Sequence, residues 1–236
     1  MARLVTILAA PLLLVSCLLT PGKFVSTLDI GSDRSFTFTY AGEAILIDPE
    51  QNVSISSDPE AEGGDYSAPE ESAPPAPAVE TAELRAKREA IAEALRKEQG
   101  YRSVQYLGDG LYRVNYAISG RLDRAFVYPF NSDAAAIFPW IAIELRQDGT
   151  ARIKAPAFGE GETEGVIPTP TSPMDKAVER REGTFTLTTD AELVMQNNEA
   201  GAEPGPGTKI VWRVTPASRT VPTAVVRFAG SRGQKD

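Results

Sequence analysis

Short runs of alternating apolar and polar residues, broken by tight-turn chemistry, recur along most of this chain and predict strands joined in hairpins. In Leu111 to Ile118, Tyr112, Val114, Tyr116 and Ile118 share one face, and Leu111, Arg113, Asn115 and Ala117 the other. Gly108-Asp109-Gly110 is the turn that returns this strand onto Val104 to Leu107. Trp140 to Arg146 and Thr150 to Ala155 make a similar hairpin around Gln147-Asp148-Gly149. Near the start, Phe24, Ser26, Leu28 and Ile30 alternate against Val25, Thr27 and Asp29. Gly31 to Arg34 supplies a turn, which Asp29 and Asp33 most simply serve, and Phe36, Phe38 and Tyr40 alternate with Thr37 and Thr39. Glu43 to Ile47 is expected to add a third strand. Arg124 to Phe130, Thr184 to Thr189, Leu193 to Met195, Lys209 to Val214 and Thr223 to Phe228 complete nine to twelve strands. Without an alternation of strands and helices, nothing predicts a parallel sheet.

One segment breaks this pattern. Asp48 to Glu80 holds nine acidic residues, no basic one, and six prolines. Such a composition buries too little apolar surface to offset the entropy of ordering, and predicts a disordered acidic linker. Thr81 then reads as the N-cap of a helix from Ala82 to Gln99, ended by Gly100, with Leu84, Ile91, Ala94 and Leu95 on its inner stripe. Gly159 to Pro173, rich in Gly, Glu and Pro, reads as a loop. The fold class expected is α+β: mainly antiparallel sheet built from hairpins, one amphipathic helix and a long acidic linker.

The first residues carry a targeting pattern. Arg3 makes a short positive start, Leu4 to Val15 is almost wholly apolar, and small Ser16 precedes Cys17. The apolar stretch, extended to Leu19, would span about 24 Å as a helix, short of a roughly 30 Å hydrocarbon core. Leu14-Val15-Ser16-Cys17 resembles the lipobox of bacterial lipoproteins. The resemblance implies cleavage between Ser16 and Cys17, lipid attachment at Cys17, and an envelope location with the bilayer as a partner. Leu18, where an aspartate often favours inner-membrane retention in that family, implies the outer membrane, facing the periplasm. Two further stretches resemble uncharacterised alphaproteobacterial lipoproteins with a β-rich domain. They are Pro21-Gly22-Lys23-Phe24 with Phe36-Thr37-Phe38, and Gly100 to Val104 with Gly108-Asp109-Gly110 and Pro129-Phe130. This resemblance implies location and a β-rich body, and assigns no substrate.

Composition narrows the chemistry. The 236 residues include no histidine, and Cys17 is the one cysteine. The commonest neutral-pH base and metal ligand are therefore missing, together with Ser-His-Asp and Cys-His arrangements and any internal disulfide. Net charge is −8, or −9 once Arg3 leaves with residues 1–16, which disfavours nucleic acid as a partner. Asp123, Asp133 and Glu144 are the carboxylates to test for acid-base work or cation binding. Tyr101, Tyr106, Tyr112, Tyr116, Phe126, Tyr128, Phe130, Phe138 and Trp140 crowd one segment. They read more simply as a sheet core than as a lipid-binding groove.

The resulting organisation is a signal peptide (1–16), an N-terminal hairpin (17–47), the linker (48–80), a helix-plus-sheet body (81–229) and a frayed tail (230–236). The expected role is a non-enzymatic binding or assembly function in the envelope, without catalytic residue, metal or cofactor. The alternatives are a carrier or sensor of an apolar ligand, and a carboxylate-dependent hydrolase.

Overall fold

The computed structural model describes residues 18–47, 80–129, 139–159, 173–203, 205 and 207–229. The signal segment, Ser16, Cys17, the linker apart from Glu80, Phe130, Asp133, Phe138 and the tail lie outside them. Eleven strands among the described residues form two sheets.

The larger sheet holds β1 (Leu18–Ile30), β2 (Ser35–Ile47), β3 (Tyr101–Gly108), β4 (Leu111–Arg121), β8 (Glu182–Thr189) and β10 (Thr208–Val214). Their spatial order is β10-β8-β1-β2-β4-β3, so the N-terminal hairpin occupies the middle. The smaller sheet, β5-β6-β7-β11-β9, uses β5 (Phe126–Tyr128), β6 (Ile141–Leu145), β7 (Thr150–Lys154), β9 (Glu192–Gln196) and β11 (Thr223–Arg227).

The alternation seen in the sequence decides which faces meet. Phe24, Leu28 and Ile30 of β1, Phe38 and Tyr40 of β2, Tyr112 and Val114 of β4, and Phe185 and Leu187 of β8 are buried. Tyr128, Ile141, Ile143, Ile153, Ala224 and Val226 of the smaller sheet are buried with them in one cluster. Ring contacts span the gap: Phe38 meets Tyr128 at 5.2 Å between centroids and Tyr40 meets Trp140 at 4.8 Å. Each such side chain contributes about 1.5–3 kcal/mol by leaving water, which holds the sheets together as a sandwich.

Three expectations need correction. First, β1 pairs with β8 in parallel, from Lys23 opposite Glu182 to Ile30 opposite Thr189, so the larger sheet is mixed. Its partners lie far apart in sequence, and neither strand's own pattern carries that information. Second, Glu43 to Ile47 continues β2 rather than forming a third strand. The β1–β2 register shifts between Pro21 and Phe24, and this irregularity lets both strands run 13 residues.

Third, the helix α1 (Ala82–Leu95) stops earlier than expected. Thr81 does cap it, accepting from the Leu84 N–H. Arg96 to Gly100 then turns the chain into β3, with Gly100 at φ +94° beneath the Tyr116 ring, where a Cβ would collide. Ala92, not Ala94, is the buried alanine. A second short helix, α2 (Pro173–Arg180), precedes β8.

Candidate functional site

The end of the sandwich where β1 begins gathers the most chemistry. Leu18 pairs with Ile47, and the Leu46 N–H donates to the Gly110 carbonyl at 2.8 Å, which places the Gly108-Asp109-Gly110 turn at the same end. The Trp140 indole N–H donates to the Leu19 carbonyl at 2.9 Å. The chain leaves from Ile47 and returns at Glu80, again here.

Glu80 closes a polar cluster with Arg88 and Tyr106. An Arg88 nitrogen lies 2.8 Å from the Glu80 carboxylate, and both side chains are 9% exposed. The Tyr106 hydroxyl donates to the same carboxylate oxygen and accepts from the Gly110 N–H at 3.2 Å. The Tyr112 hydroxyl donates to the Arg88 carbonyl at 3.0 Å. Burial by itself would raise the Glu80 pKa, but the Tyr106 and Arg88 donors outweigh it and hold the carboxyl below its ordinary value. The arrangement clasps the returning chain and α1 onto β3. The signal for it was present in the sequence: Arg88 sits between Leu84 and Ile91 on the inward stripe of the helix, where an unpaired guanidinium would be costly.

The outer face of the larger sheet is the second surface with organised polar groups. Thr27 and Thr39 share a hydrogen bond of 2.7 Å, and Thr37 and Ser119 one of 2.9 Å. Val25 stands among these hydroxyls at 56% exposure. A shallow depression of about 370 Å³ is lined by Lys23, Glu43, Ser103, Arg113 and Asn115. Glu43 is held there by Arg180 through two contacts, 2.7 and 2.9 Å, which pin α2 to β2. The Arg180 hydrogen bonds hold the Glu43 carboxyl below its usual range, against a smaller opposing effect of burial.

Among the described residues the aromatic segment does not line an aromatic groove: Tyr101 alone of these rings borders a depression, which it shares with Gln99, Arg102 and Ser119. Tyr112, Tyr116, Tyr128 and Trp140 are buried in the core, and Tyr101, Tyr106 and Phe126 pack against it. Tyr128 touches Tyr116 at 4.3 Å and Trp140 at 5.5 Å between ring centroids, so the rings fill their own space. Of the carboxylates to test, Asp133 lies outside the described residues, and Asp123 and Glu144 each face an arginine of their own. Exposed Asp123 pairs with Arg121 at 3.3 Å just beyond β4, and exposed Glu144 sits on β6 opposite Arg152. Asp29 is exposed on β1, and Asp33 accepts from the Ser35 N–H inside its turn. No group of three or more His, Cys, Asp or Glu among the described residues is placed to hold a metal. No described helix is long and apolar enough to cross a membrane.

These features define a two-sheet β-sandwich with an edge helix and a polar clasp beside its first strand. No protein-family model matches the sequence, and no curated protein matches it. Among solved structures, the chain is similar to the folded domain of the LppM protein of Mycobacterium tuberculosis, determined by NMR. The match has 14% identity and a TM-score of 0.34, over 92% of this chain and 96% of that one. A likeness that loose carries no argument about activity.

Proposed function

We propose that this chain is a cell-envelope lipoprotein, anchored through acylated Cys17, whose β-sandwich serves binding or assembly and not catalysis. The observation that carries the reading is the junction between residues 17 and 18. The lipobox-like Leu14-Val15-Ser16-Cys17 ends where β1 begins, so cleavage before Cys17 removes no residue of the described sandwich. Two or three acyl chains on one cysteine make release from a bilayer very slow, at about 0.8 kcal/mol per buried CH₂. Leu18 after the cysteine supports sorting to the outer membrane, with the body in the periplasm.

Mass spectrometry of the protein from the membrane fraction tests the anchor. The expected N-terminal peptide starts at Cys17 and carries acyl mass. Cys17→Ser is expected to accumulate as uncleaved precursor that takes up no fatty-acid probe. A mature N-terminus free of acyl groups, or one mapped well downstream of residue 17, overturns the reading. Crosslinking in intact cells tests the role: capture of an envelope protein supports assembly, and capture of a free lipid ligand in the sandwich overturns it.

A further inference from the structure

We infer that the end of the sandwich formed by the start of β1, the β3–β4 turn and the N-terminal turn of α1 rests against lipid headgroups, while the Gly31–Arg34 end points away from the bilayer. The inference rests on the lipid-anchor reading above and adds an orientation to it.

Length of tether is the first argument. A flexible linker of n residues lets a domain wander by about 5–6 Å × √n. Here the linker has no residue at all. Leu18, next after Cys17, is already paired with Ile47, and the Leu19 carbonyl is fixed by the Trp140 indole. A bilayer-embedded Cys17 therefore brings this end of the sheet to the surface.

Strand direction is the second. β1 runs 13 residues away from the anchor, which is roughly 40 Å of extended chain. It is a central strand with neighbours on both sides, so it is stiffened by the whole sheet. The turn after Ile30 is therefore carried far from the cysteine.

Charge is the third. The ionised side chains of α1's first turns are largely matched: Glu80 with Arg88, Glu83 with Lys87 at 3.2 Å, and Arg85 with Glu89 at 3.2 Å. Among the described residues of these turns the cations are paired with carboxylates, which leaves little free positive charge to recruit anionic lipid. Contact is thus held by the short tether and is expected on zwitterionic headgroups, without dependence on anionic ones.

The test uses the lipidated mature protein in phosphatidylcholine vesicles containing a headgroup spin label. A fluorophore is placed on Ala82→Cys, at the start of α1, or on Ala125→Cys, just beyond β4 at the far end; both positions are exposed. Quenching is expected to be several-fold stronger at residue 82. Inserting about ten Gly/Ser residues between Cys17 and Leu18 should free the body and erase that contrast. Equal quenching at the two positions, stronger quenching at residue 125, or a contrast that survives the spacer overturns the orientation. Intact-mass measurement on the same vesicles separates the failures. A chain without acyl groups sinks the anchor and the orientation together, whereas an acylated chain without the contrast sinks the orientation alone.

Discussion

The Trp140 indole N–H donates to the Leu19 main-chain carbonyl at 2.9 Å, joining residues 121 positions apart. It ties the residue just before β6 to the second residue of β1, so each sheet fixes the other where β1 begins. The same ring packs on Tyr40 and Tyr128. Trp140→Phe keeps an aromatic but removes the donor and leaves the carbonyl short of a partner. We expect a loss of about 2–3 kcal/mol, combining the unmade bond with the smaller ring. Urea unfolding followed by Trp212 fluorescence measures it, and an unchanged midpoint would contradict the role given to this bond.

Much of the sandwich was legible because its code is local. The alternation in Phe24 to Ile30, Phe36 to Tyr40 and Tyr112 to Tyr116 assigns the buried faces, since a strand's side chains point alternately to its two sides. Turn chemistry located the β3–β4 and β6–β7 hairpins for the same reason. The β1–β8 parallel pair was not legible: Thr184 to Thr189 alternates equally well beside any partner, and no short turn links it to Lys23 to Ile30. Of the clasp at Glu80, only Arg88 left a trace, as a charge in an apolar stripe. Glu80 itself closes an acidic stretch and looks like one more solvated carboxylate. Tyr106 looked like core, and its hydroxyl became part of a site only through the topology that brings β3 under α1.

Gly42 and Gly183 flank Phe24 from its two neighbouring strands, and both are expected to resist substitution. A Cβ at Gly42 would fall 2.5 Å from the Lys23 carbonyl oxygen and 2.6 Å from the Phe24 Cα, and one at Gly183 would strike the Phe24 carbonyl oxygen. These are backbone atoms in the centre of the sheet and cannot swing aside. Gly42→Ala and Gly183→Ala should each destabilise by about 2–3 kcal/mol. Gly205→Ala, with open space around it among the described residues, should stay within about 0.5 kcal/mol. Thermal or urea midpoints check all three; an alanine tolerated at residue 42 would mean that the strands separate more easily than this geometry allows.

The Glu43–Arg180 pair should make α2 sensitive to acid. Glu43 is held below its ordinary pKa chiefly by the Arg180 hydrogen bonds. A carboxylate whose folded pKa is depressed contributes stability above its unfolded pKa, about 4.3, and loses it as pH falls through the folded value. The wild-type urea midpoint is expected to drop on acidification below about pH 4.5. Glu43→Gln should flatten part of that drop, and hydrogen exchange in the 177–181 stretch should quicken in the variant at neutral pH. If wild type and variant fall in parallel over the whole acid range, Glu43 is not the group responsible.

The Arg88–Glu80 pair calls for a double-mutant cycle, because each partner's removal exposes the other's cost. With both side chains 9% exposed, Arg88→Met leaves the Glu80 carboxylate nearly buried, with the Tyr106 hydroxyl still donating to it. Truncating one member of a buried pair costs on the order of 3 kcal/mol, mostly through the stranded charge. Glu80→Gln should cost less, since a neutral amide can still accept from Tyr106 and leaves the guanidinium less deeply stranded. The double variant, Arg88→Met with Glu80→Gln, should recover part of the loss, giving a coupling of more than about 0.5 kcal/mol. Helical signal at α1 should fall with Arg88→Met, because the Arg88 main-chain carbonyl is also the acceptor for buried Tyr112 and a shifted helix breaks that bond. Strict additivity of the two substitutions would show that Arg88 and Glu80 act as two independent contacts and that the clasp is not a coupled pair.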